Sequence, residues 1–263
     1  MKIEGQAALV TGAGSGLGAE TARELARRGA QVALLDINLD AARRVADEIT
    51  QAGGQALAVA CDITSTESAE AALQAAAEAH GPARLMMNIA GIGTARRLVG
   101  KDGTPMPLEA FRRVVEVNLI GTFNMTRLAA AAMLKLAPVD DPHQTQERGV
   151  IVNTASVAAF DGQVGQEAYA ASKGGVVSLT LPLARDLAQF GVRVMTIAPG
   201  LFHTPLMDEL PQAVQDSLAA SIPFPKRLGR PEEFALLAAS IVENTALNGE
   251  VIRLDGALRM AAR

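Results

Sequence analysis

The chain of 263 residues carries 24 basic and 28 acidic side chains, a net charge of −4, with one cysteine, three histidines, one tyrosine and no tryptophan. A single cysteine excludes an internal disulfide framework or a thiolate metal cluster, and the lack of long basic runs argues against nucleic acid, whose affinity comes from clustered Lys and Arg on phosphates. No apolar run reaches the roughly 18 residues of a membrane span; Met1-Lys2-Ile3-Glu4-Gly5-Gln6 leads directly into a strand-like run, so the expectation is a soluble cytoplasmic protein, one domain over 1–263.

In chain order, a strand predicted over 7–11 runs into Thr11-Gly12-Ala13-Gly14-Ser15-Gly16-Leu17-Gly18, which opens a helix over 18–28. Glycines permit positive φ and close backbone approach, and a helix N-terminus points free N–H groups and its positive dipole end at a diphosphate. The spacing G-x-x-x-G-x-G differs from G-x-G-x-x-G, but its place after the first strand favours a phosphate cradle over a merely tight turn. The second strand, 31–36, ends at Asp36, an acid placed to accept hydrogen bonds from adenosine ribose hydroxyls. Neither Ile37 nor Ser15 offers a guanidinium for a 2′-phosphate, so NAD is expected over NADP. After a helix over 40–51, the strand 55–62 holds Cys61, read as a small buried side chain, and closes at Asp62-Ile63. Asp62 either faces an adenine or caps the helix 65–80 that Ser65-Thr66-Glu67-Ser68 begins. The strand 84–88 closes at Asn88-Ile89-Ala90-Gly91, small residues on which a cofactor can pack.

A polar, basic loop over 93–107 precedes a long helical run over 108–136, and the strand 149–154 then ends in Asn153-Thr154-Ala155-Ser156. Tyr169 and Lys173 lie four apart in a helix predicted over 168–189, on one face. A phenol ionises near pH ~10, too high for base chemistry at neutral pH, and a neighbouring ammonium favours the phenolate. Ser156 can donate to the same substrate oxygen as the phenol. Pro182 falls inside that helix, where proline costs about 3 kcal/mol, so a kink or compensating packing is expected beyond Lys173. A strand over 192–198, an irregular segment over 201–230 with mixed helical patches, a helix over 231–242 and a strand over 250–254 complete the chain. This alternation is that of βαβ units, and the loops 93–107 and 201–230 are candidate substrate elements. His80 ends a helix, where a cation is favourable; His143 lies in a polar stretch read as an exposed turn, and His203 either borders the substrate cavity or is incidental. The three lack metal-ligand spacing.

These motifs, in this order over essentially the whole chain, resemble the short-chain dehydrogenase/reductase family: T-G-x-x-x-G-x-G, an N-A-G-like segment in which Ile89 replaces the second Asn, Asn118, Ser156, Y-x-x-x-K and Pro199-Gly200. The resemblance implies an α/β Rossmann fold with a seven-stranded parallel sheet in order 3-2-1-4-5-6-7, nicotinamide hydride transfer and a homotetramer. It implies Tyr169 as general acid/base and Ser156 as the group polarising the carbonyl. Lys173 would hold the nicotinamide ribose and lower the tyrosine pKa, and Asn118 would organise a water-linked proton relay with it. Pro199, Gly200 and Thr204 would support the nicotinamide end, and Ile63 would flank adenine. From Arg148 to Met260 the chain more narrowly resembles the type-2 3-hydroxyacyl-CoA dehydrogenases, also called type-10 17β-hydroxysteroid dehydrogenases. That implies an acyl-CoA thioester substrate whose anionic end Arg96, Arg97 and Lys101 could meet, unless they form only a solvated basic loop. Leu201, Phe202, Leu206 and Met207 would suit a steroid as well as an acyl chain, and a non-catalytic NAD-binding scaffold is the reading from another class.

Overall fold

The computed structural model describes residues 1–93, 95–140, 145–208 and 211–262, without the side chains of Leu206 and Asp208. Seven parallel strands, β1 (Ala7–Thr11), β2 (Gln31–Asp36), β3 (Gln55–Ala60), β4 (Leu85–Asn88), β5 (Gly149–Thr154), β6 (Val192–Pro199) and β7 (Val251–Leu254), form one sheet in the order β3-β2-β1-β4-β5-β6-β7. The chain order reverses between β1 and β4, a crevice at the carboxyl ends of the strands where ligands bind in such sheets.

Helices cover both faces, which is why the strands are almost continuously apolar. Ala8, Val10, Val32 and Leu34 face a core shared with α1 (Gly16–Arg27), α2 (Leu39–Gln51) and α9 (Pro231–Glu243). Leu9, Leu35, Met86 and Ile151 face the opposite core, against α3 (Thr66–His80), α5 (Thr122–Met133) and α6 (Glu167–Ala188). Alanines at Ala69, Ala72, Ala76 and Ala129 let the helices sit close to the sheet.

The structure departs from expectation in several places. The run 108–136 divides into α4 (Leu108–Val115), a π-helical turn over Glu116–Gly121, and α5. The helical patches expected within the irregular segment 201–230 do form: its described residues include the helices α7 (Pro205–Asp208) and α8 (Gln212–Ala220). Helix α6 passes unbroken through Pro182; Pro182 and Ser178, whose carbonyl loses its intrahelical donor, are both exposed, so water can serve it. His80 is the last residue of α3, and its partial burial lowers its pKa, which weakens it as a cation at the helix end. Cys61 is buried, and its thiol is pushed up to about 11 by burial and by Asp62 and Asp36. His143 lies outside the described residues.

Candidate active site

The crevice is a cleft of about 410 Å³ lined by residues from the ends of β1 to β4, with Arg113 and Val117 above and Thr204-Pro205 across it. Of the expected cofactor residues, Gly12, Ser15, Gly16, Leu17, Gly18, Asp36, Asp62, Ile63, Ala90, Gly91 and Thr204 line it. The glycine turn is shaped by backbone contact. A Cβ on Gly18 would stand 2.6 Å from the Gly12 carbonyl carbon, and Gly12, at φ +66°, would place one 2.8 Å from Ala90 Cα. Ser15 is extended at the N-terminus of α1 and its side chain makes no cap hydrogen bond, while Thr204 and Pro205 pack within 3.6 Å of where a Gly16 Cβ would be. A compact backbone cradle at a helix N-terminus fits a diphosphate.

Asp36 accepts from Gly14 N–H at 2.8 Å through Oδ2 and from Asn38 N–H at 2.8 Å through Oδ1, which fixes the carboxylate at the cleft edge. Asp62 is not the cap of α3. Ser65 caps it, accepting from Ser68 N–H at 3.2 Å, while Asp62 Oδ1 accepts from the backbone and hydroxyl of Thr64 at 2.9 and 2.7 Å. Those bonds, with a smaller contribution from Arg113, hold the Asp62 carboxyl below its usual pKa.

Three expected contacts are set back from the cleft lining. Asn88 is buried beneath it, its amide donating to Asn153 Oδ1 at 2.8 Å and Thr126 Oγ1 at 3.0 Å; it steadies the end of β4 from below. Gly200 donates its N–H to Leu254 carbonyl at 2.9 Å, and Pro199 ends β6 beside Leu254. Thr11, outside the expected set, orients the turn after β4: its hydroxyl accepts from Ile89 and Ala90 N–H at 3.0 and 3.2 Å.

The reacting groups converge at the other end. Ser156, buried after β5, stands by the Tyr169 phenol at the start of α6 and accepts from Ala158 N–H at 3.1 Å. Lys173 is buried one turn on; its Nζ donates to Thr154 carbonyl at 2.7 Å and lies 5.9 Å from the centre of the Tyr169 ring. A Cβ on Gly91 would stand 3.0 Å from Asn118 Oδ1 and 3.3 Å from Lys173 Nζ, so the cleft and the reacting groups meet at Gly91. Burial lowers Lys173 to about 8 and raises the Tyr169 phenol above 10, the nearby Ser156 hydroxyl pulling it the other way. Sequence reasoning weighed the ammonium and missed burial, which dominates both groups here.

Asn118 explains the π turn that it occupies. Its Oδ1 accepts from Ile92 N–H at 2.8 Å, and its Nδ2 donates to Ile92 carbonyl at 2.9 Å and to Ser172 Oγ at 3.0 Å. Ser172 in turn donates to Tyr169 carbonyl at 2.8 Å, tying the π turn to the catalytic helix. π-helical turns within helices recur at functional sites. Arg96, Arg97 and Lys101 are exposed on a loop fastened by Arg96 N–H to Gly165 carbonyl at 2.7 Å. His203 is exposed and borders an outward hollow with Lys226 and Arg230, not the cleft.

Residues 6–215 match the short chain dehydrogenase family. The chain belongs to that family. It is 51% identical over 260 residues, 98% of this chain and 97% of the relative, to the 3-hydroxyacyl-CoA dehydrogenase type-2 of Bos taurus. Among solved structures it is similar to the 3-hydroxyacyl-CoA dehydrogenase type-2 of Mycobacterium avium, with TM-score 0.90 and 41% identity over 98% of each chain. It also resembles a 7α-hydroxysteroid dehydrogenase complexed with NADH and 7-oxo glycochenodeoxycholic acid, with TM-score 0.88 and 32% identity over 100% of this chain and 97% of that one. This short-chain dehydrogenase is thus an oxidoreductase acting on a CH–OH group of a small molecule with a nicotinamide cofactor.

Proposed function

We propose that this dehydrogenase uses NAD to interconvert L-3-hydroxyacyl-CoA and 3-ketoacyl-CoA, with Tyr169 as the acid/base. The observation carrying the chemistry is the convergence of the Tyr169 phenol with buried Ser156 and the buried Lys173 ammonium, whose Nζ lies 5.9 Å from the ring centre. When bound, an oxidised nicotinamide supplies the hydride acceptor and a positive charge beside the phenol. In oxidation Tyr169 takes the hydroxyl proton, and in reduction it returns one to the carbonyl oxygen. Ser156 donates to that oxygen as negative charge develops on it. Lys173 holds the ribose hydroxyls and stabilises the phenolate, and Asn118 holds the relay water behind Lys173. Gly12, Ser15, Gly16, Leu17 and Gly18 hold the diphosphate and Asp36 the adenosine ribose, while Asp62 and Ile63 flank the adenine. A 2′-phosphate would meet the Asp36 carboxylate with no basic residue at Ser15 or Ile37, which supports NAD over NADP.

The thioester reading is supported by 51% identity to a relative named for 3-hydroxyacyl-CoA and by the exposed Arg96, Arg97 and Lys101, suited to the anionic CoA end. Similarity to the 7α-hydroxysteroid dehydrogenase supplies the competing substrate class. Comparing kcat/KM for acetoacetyl-CoA, acetoacetate and a ketosteroid decides between them. Preference for the thioester is expected; preference for the free acid or the steroid would refute it, and inactivity on all three would favour an NAD-binding scaffold. Ile120 and Phe123, three apart on one helical surface, are 45% and 43% exposed, an apolar patch that supports assembly as a homotetramer. Light scattering at the tetramer mass is the expected result, and a monomer mass would refute it.

A further inference from the structure

We propose that Arg253 is a positioning residue for the substrate side of the site, acting through Asp161 to fix the loop 160–166 between Ser156 and Tyr169. That loop carries the spacing between the two groups that bind the reacting oxygen, yet its anchors come from remote parts of the chain. Val164 N–H donates to Ala262 carbonyl at 3.1 Å, Gln163 Nε2 to Ala261 carbonyl at 3.0 Å, and Gly165 carbonyl accepts from Arg96. Arg253, on β7, grips Asp161 with both guanidinium ends, 2.6 Å to Oδ2 and 3.3 Å to Oδ1. The same guanidinium donates to Asp255 Oδ2 at 2.8 Å and to Leu258 carbonyl at 3.0 Å, and lies 5.2 Å from the centre of the Phe160 ring. Asp255 presses on the turn after β6, where a Cβ on Gly200 would stand 2.8 Å from Asp255 Cβ. One planar cation therefore joins the loop leading to Tyr169, the turn at Gly200 and the segment that pins Val164.

The side chains of Arg253 and Asp161 are only 21% and 17% exposed, so this pair is screened less than a surface pair and its fork geometry suits Arg and not Lys. Arg253 holds the Asp161 carboxyl below its usual pKa. Neither side chain lies in the cores that carry the sheet, so losing the pair should loosen the loop and spare the fold. The inference rests on the proposed reading only in taking Tyr169 as the reacting group, and applies to whichever carbonyl is reduced.

The test compares wild type with Arg253→Met, Arg253→Lys and Asp161→Asn, the last preserving size in case the methionine variant folds poorly. For acetoacetyl-CoA reduction the methionine and asparagine variants should lower kcat about tenfold and change KM less than about threefold, with NADH Kd within about twofold of wild type. Amide exchange at Val164 should speed up while β1 to β5 stay protected, and Arg253→Lys should fall between. Unchanged kcat and exchange would overturn the proposal, as would kcat, NADH Kd and Tm deteriorating together. Should wild type not reduce acetoacetyl-CoA, the substrate reading fails by itself, and exchange at Val164 decides the role of Arg253.

Discussion

The cofactor side of the cleft is built largely from backbone, at Gly12, Gly18 and the Thr11-braced turn at Ile89-Ala90, whereas the substrate side proposed above would present side chains from loops, among them exposed Arg96, Arg97 and Lys101. A backbone surface leaves no room for an added Cβ and recognises what every dinucleotide shares. A side-chain surface on loops can change residue by residue without disturbing the sheet. Substitutions on the first side should therefore be severe and general, and those on the second mild and selective for substrate.

After the loss of Tyr169 itself, Lys173→Met, where the two sides meet, should show the largest effect. Oxidation should lose about 100-fold or more in kcat/KM, a typical magnitude for a disabled acid–base system. Oxidation needs the phenolate, so its rate rises with pH; in the NAD-bound enzyme, where the cofactor's positive charge and the ammonium together favour the phenolate, losing the ammonium should move that rise upward. An unmoved rise would break the link between Lys173 and Tyr169. Stability reports the same group with the opposite sense. The folded pKa of about 8 lies below the ordinary lysine value of 10.5, so the unfolded chain binds more protons between these values and stability rises with pH across that window. Below about pH 8 the full penalty applies, at most about 3 kcal/mol. The cofactor-free methionine variant should thus melt above wild type at pH 7, the gap narrowing towards pH 10; equal Tm values at both would contradict it.

Gly18→Ala should weaken NADH binding by roughly 10- to 100-fold, since relieving the clash with Gly12 costs about 1–3 kcal/mol as overpacking does. Fluorescence titration measures it, and wild-type affinity would mean that the turn does not shape the cradle. Asp36→Ala should shift the ratio of kcat/KM for NADPH over NADH upward by about tenfold. A fixed ratio would remove Asp36 from cofactor choice. The smallest effect is expected from replacing Arg96, Arg97 and Lys101 together with alanine: about a threefold rise in KM for acetoacetyl-CoA and none for acetoacetate. Equal changes for both would sever the loop from the CoA end.

The contrast also explains what could be read from the sequence. The central strands β1, β2, β4, β5 and β6 were legible because they are buried on both faces; the glycine turn and Asp36 were legible because they follow strand ends. Tyr169 and Lys173 share a helix, so their spacing reports their proximity directly. The break at Asn118 was hidden because the π turn depends on its bonds to Ile92, 26 residues away, while the apolar period of 108–136 continues across it. Asn88 looked like a cofactor contact, but its amide turns down to Asn153 and Thr126, a distinction made by packing. The lowered pKa of His80 likewise follows from burial, and the Arg253–Asp161 pair joins residues 92 apart; neither leaves a local pattern. Ser172 left a faint one, three residues after Tyr169 on the same helix.

The central claim is that the lone tyrosine moves the proton. NADH consumption with acetoacetyl-CoA should be measured for wild type and Tyr169→Phe alongside NADH binding to both. The prediction is steady consumption by wild type and none detectable by the phenylalanine variant, with NADH affinity retained. Comparable turnover by the two proteins would contradict it.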